Sequence, residues 1–114
     1  MRYSYRIDDL AQAELDAVGG LYISYFAKLG DPAKGRAWAN RFYAEYRQRI
    51  NGLKANPHRY PKCTVYPFGL VDTEYRSFVV GWFTVFYTVE ERDETFTVWH
   101  IRSSRSDFTR MRNR

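Results

Sequence analysis

The chain has 114 residues and a formal charge of +5, from eighteen Lys and Arg against thirteen Asp and Glu, which leaves room for one domain over residues 1–114. Its 21 aromatic residues outnumber the 18 Ile, Leu and Val combined, enough apolar area to exclude a disordered chain. A single cysteine, Cys63, excludes an internal disulfide, and the longest uncharged run, Ser77 to Val89, is shorter than the roughly 20 residues that span a bilayer; the expectation is a cytoplasmic protein with no membrane association.

In chain order, Tyr3 to Ile7 alternates in polarity and predicts a first strand. A helix follows, with Asp9 as its cap and Gln12 three residues on. Leu10, Ala17, Val18, Leu21 and Tyr25 fall on one face of it, with Glu14 intruding. Gly19-Gly20 weakens a helix interior but suits the close approach of a second helix. Gly30 is placed to end this helix, and Asp31-Pro32 opens the next as cap and first helical residue. Ala39, Phe42, Tyr43, Tyr46, Ile50 and Leu53 form the apolar stripe of that second helix, Glu45 and Arg49 are spaced to pair, and Asn56-Pro57 ends it. So short a connection predicts an antiparallel helical hairpin. Beyond Pro61 the pattern is β. Lys62 to Phe68, interrupted by Pro67, is a candidate edge strand. Glu74 to Val80, Trp82 to Val89 and Thr95 to Ile101 are stronger strands, the last two joined by the polar turn Glu90 to Glu94. The expected fold class is α+β, in the order β-α-α-β-β-β, with the helical hairpin packed on one face of a mostly antiparallel sheet of four to five strands.

Two histidines and one cysteine are too few and too scattered for a spaced zinc site, and glycine-rich phosphate loops are absent, so neither a metal nor a cofactor is expected. Serines 103, 104 and 106 lie near His100 without a carboxylate to orient it, which speaks against a hydrolytic triad. The charge is lopsided: Arg102, Arg105, Arg110, Arg112 and Arg114, less Asp107, put +4 into the last thirteen residues. Arg outnumbers Lys fourteen to four, and its planar fork fits phosphate oxygens in pairs. An anionic partner follows, nucleic acid or acidic protein, unless these arginines only solubilise a terminus. His100 and Arg102, two apart on the last strand, are expected to share a face with Phe96 and Val98. Arg76 early in one strand and Tyr87 late in the next fall at adjoining strand ends in an antiparallel meander, with the register deciding whether they face each other. Such a set suits RNA cleavage without a metal: His100 or Tyr87 moves protons while arginines stabilise the charge on the phosphorane. The same residues also fit a structural reading. Tyr87 is then a core aromatic, the arginines pair with carboxylates, and His100 hydrogen-bonds locally.

The string Tyr75-Arg76-Ser77-Phe78-Val79-Val80-Gly81-Trp82-Phe83-Thr84-Val85-Phe86-Tyr87-Thr88-Val89 resembles the paired strands of the RelE/ParE toxin superfamily, in which an arginine precedes an apolar strand ending in tyrosine. Val98 to Asp107, with a histidine followed by arginines, resembles its closing strand, and the likeness covers roughly Tyr3 to Phe108. The resemblance implies the toxin of a bacterial type II toxin–antitoxin pair, or plasmid stabilisation protein, held inactive by a cognate antitoxin. In the RelE-like branch such toxins cut mRNA in the ribosome without a metal; Arg76 and Arg102 would then hold the scissile phosphate, His100 or Tyr87 would move the proton, and Arg105 would position RNA. Lys54, Arg59 and Lys62 represent the basic cluster that some nucleases carry before the first inner strand. In the ParE-like branch the toxin inhibits DNA gyrase, and the same basic face and C-terminal segment, from about residue 102, would be a protein-binding surface. A non-toxic nucleic-acid-binding module is the third expectation, with aromatics beside arginines stacking on bases.

Overall fold

Strand β1 (Ser4–Ile7) leads directly into helix α1 (Asp9–Lys28), and the residue between them is the cap: the Asp8 carboxylate accepts from the Leu10 backbone N–H at 3.1 Å. The expected cap, Asp9, is instead the acidic residue of the first turn, where it complements the helix dipole. The computed structural model describes residues 2–63 and 74–104. Helix α1 buries Ala11, Val18, Tyr22 and Phe26, with Leu15, Leu21 and Tyr25 packed at the margin, whereas Leu10 is 52% exposed. The buried stripe is therefore rotated from the one expected, because the large rings of Tyr22 and Phe26 outweigh Leu10 and Ala17 as area to remove from water.

Gly30, at a positive φ of 81°, closes α1, and the Asp31 carboxylate accepts from Lys34 N–H to open α2 (Pro32–Ala55). Helix α2 buries Gly35, Ala39, Phe42, Tyr46, Ile50 and Leu53. The two helices pack closely at two glycines. The Tyr43 hydroxyl donates to Leu15 C=O at 2.7 Å and accepts from Gly19 N–H at 3.0 Å, two groups that face each other across one helical turn. A Cβ on Gly35 would come within 2.8 Å of the α1 backbone at Ile23 and Tyr22, whereas Gly20 faces open space.

Strands β2 (Arg76–Val80), β3 (Phe83–Glu90) and β4 (Thr95–Ser103) form an antiparallel meander, and β1 pairs in parallel with β4, giving the order β1-β4-β3-β2. This is the expected α+β architecture, with four strands among the described residues. Of the candidate strand Lys62 to Phe68, Lys62 makes an isolated bridge to Arg76, and 64–68 lie outside the described residues. Gly81, at a positive φ of 57°, supplies the first position of the two-residue loop between β2 and β3, and the Tyr22 hydroxyl accepts from the next N–H, that of Trp82. One face of the sheet (Phe78, Val80, Phe83, Val85, Tyr87, Phe96, Val98 and Ile101) meets the helical hairpin in a single core.

Candidate functional site

The β3–β4 ladder slips by one residue. Phe86 pairs with His100 but Tyr87 with Val98, so Trp99 is an extra residue in β4. The bulge reverses the alternation beyond it: Phe96, Val98 and Ile101 all point into the core, and His100 and Arg102 flank Ile101 on the opposite face. His100 and Arg102 therefore do not share a face with Phe96 and Val98 as strict alternation predicts. Trp99 lies on the outer side, its indole N–H bonded to the Thr88 hydroxyl at 2.8 Å.

The four residues expected to act together thus fall into two groups on opposite sides of the sheet. Arg76 and Tyr87, at adjoining strand ends of the antiparallel meander, are direct cross-strand partners on the helix side. Tyr87 is fully buried, and its hydroxyl donates to Pro57 C=O at 2.7 Å. Burial pushes this phenol up to about 12, partly opposed by the nearby Arg76 guanidinium. Arg76 donates one guanidinium nitrogen to the carbonyls of Tyr60 and His58, at 2.6 and 3.2 Å. Both residues thereby tie the chain that follows α2 to the sheet. Arg76 also lines a cleft of about 330 Å³ with His58, Lys62, Glu74, Val89 and Glu91. Lys62 pairs with Glu74 across it at 3.2 Å, and His58 Nε2 lies 2.7 Å from a Glu91 carboxylate oxygen.

On the other side, His100 and Arg102 converge on Glu14. Strand β1 covers the edge of β4 only as far as Val98, whose carbonyl accepts from Asp8 N–H at 2.9 Å. Beyond it the Glu14 carboxylate replaces a strand: it accepts from Ile101 N–H at 3.0 Å and pairs with Arg102 Nε at 3.3 Å, its own side chain only 7% exposed. His100 Nδ1 lies 3.3 Å from Arg102 Nη2 and 3.9 Å from a Glu14 carboxylate oxygen. Burial, then the Arg102 charge, lower the His100 pKa, against an opposing pull from Glu14 and Asp8. The group joins one nearly enclosed carboxylate to a guanidinium and an imidazole at the edge of β4.

Among the remaining expected contacts, Lys54 is half-buried in the last turn of α2 and Arg59 stacks over Tyr60 at 5.6 Å. Arg105 lies outside the described residues, as do Arg110, Arg112 and Arg114. No cluster of three or more His, Cys, Asp or Glu suited to a metal occurs among the described residues, and none of their helices is long and apolar enough to cross a membrane. Sequence reasoning missed Glu14, His58 and Glu91. Glu14 did carry a signal, a carboxylate three and four residues from Ala11 and Val18 on the buried stripe.

The protein family described as ParE toxin of type II toxin-antitoxin system, parDE, matches residues 5–108 of the chain. No curated protein sequence matches it. Among solved structures, a chain of the archaeal RelE-RelB complex from Pyrococcus horikoshii OT3 superposes with a TM-score of 0.52 at 14% identity, covering 91% of this chain and 97% of that one. At that identity the likeness is one of fold.

Proposed function

Because the chain belongs to the ParE toxin family of type II toxin–antitoxin systems, we propose that it arrests growth by binding DNA gyrase, restrained by a cognate antitoxin, and that it does not cut mRNA. The observation that carries this reading is the division of the expected catalytic set. Metal-free RNA cleavage needs proton carriers and phosphate-binding groups around one scissile bond. Here Tyr87 is buried beneath the sheet with its hydroxyl given to Pro57, and His100 and Arg102 lie across the sheet, engaged with Glu14. Inhibition by binding asks only for a surface, and such residues serve it by holding the sheet and its flanking loop in shape.

The mRNA-cleaving alternative is favoured by one feature, Arg76 in the lining of a polar cleft with Lys62 and His58. Two assays separate the readings. Purified toxin is expected to block gyrase supercoiling, with activity restored by the antitoxin, and to leave mRNA intact on translating ribosomes. Codon-phased cleavage that disappears in Arg76→Ala, together with normal supercoiling, overturns the proposal. The antitoxin is expected from the adjacent reading frame, as a short acidic protein that folds on binding.

A further inference from the structure

Helix α2 carries Lys34, Arg36, Arg41, Arg47, Arg49 and Lys54 against a single Glu45, a balance of +5 equal to that of the whole chain. Glu45 is already taken by Arg49 at 3.1 Å. Lys34, Arg36, Arg41 and Arg47 are all exposed, and none of the four is in an ion pair among the described residues. Neighbouring α1 has the opposite character, with Asp9 and Asp16 exposed against Lys28. Within the helical hairpin the basic excess therefore belongs to α2 alone.

Its arrangement is specific. With Arg36 as origin and about 100° per residue, Arg47 and Lys54 fall within about 20° of it, while Lys34 and Arg41 fall at about 140–160°. Between these two basic rows runs a crest of small and amide side chains, Asn40, Ala44, Asn51, Ala37 and Gln48, all exposed and with no acid among them. The second row is braced by aromatic rings, Lys34 over Phe26 at 5.4 Å and Arg41 over Trp38 at 5.5 Å. A helix seated in the B-DNA major groove, about 12 Å wide, meets phosphates on both flanks and base edges along its crest. Arginines suit the phosphates, and asparagine and glutamine suit the edge of adenine. An acidic protein would need cations only, without a low, amide-bearing crest between two rows.

We infer that the solvent face of α2 is a duplex-DNA binding surface, with Arg36, Arg47 and Lys54 on one phosphate wall and Lys34 and Arg41 on the other. This goes beyond gyrase binding and does not depend on it, because the probe that tests it is a naked duplex. The full-length protein is titrated into a fluorescent 24-base-pair duplex over a range of salt. Micromolar binding that weakens steeply with salt is expected, and Arg36→Ala/Arg41→Ala/Arg47→Ala is expected to weaken it at least tenfold and to flatten the log K against log salt slope by about 2 to 3. Wild type and variant share the same C-terminal arginines, so the difference belongs to α2. Arg92→Ala, at the β3–β4 turn, is expected to bind as wild type does. Retained antitoxin binding and an unchanged circular dichroism spectrum in the triple variant show that it folds. Absence of duplex binding at 50 mM salt, an equal loss in Arg92→Ala, or an unchanged affinity in the triple variant overturns the inference. So does tighter, equally α2-dependent binding of single-stranded RNA or of a polyglutamate peptide, which would reassign the face to another class of partner.

Discussion

Glu14 is the residue on which the polar side of the sheet depends. Its carboxylate is almost enclosed and meets both the Ile101 N–H and the Arg102 guanidinium, so Glu14→Ala strands a backbone donor and leaves a cation beside it uncompensated. A loss of about 2 kcal/mol in urea denaturation is expected, reduced from the value for a fully buried pair because Arg102 is partly exposed; a loss below about 0.5 kcal/mol contradicts the edge-capping role. His100 adds a pH dependence. Its folded pKa lies below the value of the unfolded chain, about 6.5, so the stability it contributes is fully present above that value and is lost as pH falls through the folded one. Melting temperature is expected to drop from pH 7.5 to pH 5, and to drop less in His100→Asn, which keeps an acceptor for Arg102 but does not titrate. Superimposable profiles would remove His100 from the account. Tyr87→Phe deletes the bond to Pro57 in a fully buried setting, at an expected cost of about 1–2 kcal/mol. Growth arrest should nonetheless persist in cells that keep the variant folded, whereas loss of arrest without loss of fold would point to a chemical role for the hydroxyl.

Among the elements, the helical hairpin was the most legible in the sequence. Gly30, Asp31 and Pro32 are local signals that act through backbone geometry, and the α2 stripe repeats at helical spacing, so neither needs tertiary information. The β4 bulge was not legible. An extra residue in a ladder is defined by the partner strand, and nothing in Val98-Trp99-His100-Ile101 marks which residue is surplus. The glycines show the same division. Gly19-Gly20 announces a close approach, yet the tighter contact is at Gly35, set by which part of α1 it faces. Two substitutions test this. Gly35→Ala drives a Cβ into the α1 backbone and should destabilise by roughly 1–3 kcal/mol. Gly20→Ala, with open space around it, should stabilise by about 0.5–1 kcal/mol through helix propensity. Urea midpoints that move in the same direction for both would contradict the packing described.

At the scale of the whole molecule, charge and core are divided between layers: aromatic rings fill the space between hairpin and sheet, while the basic excess of α2 faces outward. Growth arrest on expression without antitoxin, and its relief by coexpression, is the expected cellular outcome of family membership; continued normal growth at confirmed protein levels contradicts the toxin assignment for this chain. The sequence by itself determined the element order, the helical hairpin and the family, and it put Arg76 and Tyr87 at adjoining ends of consecutive strands, leaving their register to the structure. Each follows from short-range periodicity, from turn chemistry, or from residues recognisable in their order along the chain. Only the tertiary structure decided that Tyr87 is interior, that Arg76 binds carbonyls of the segment after α2, and that His100 and Arg102 turn away from Phe96 and Val98 to meet Glu14. The physical reason is one of range. A face of a strand is fixed by its register with another strand, and a buried charge is tolerated only where a partner arrives from elsewhere in the chain, here from 88 residues away between Glu14 and Arg102.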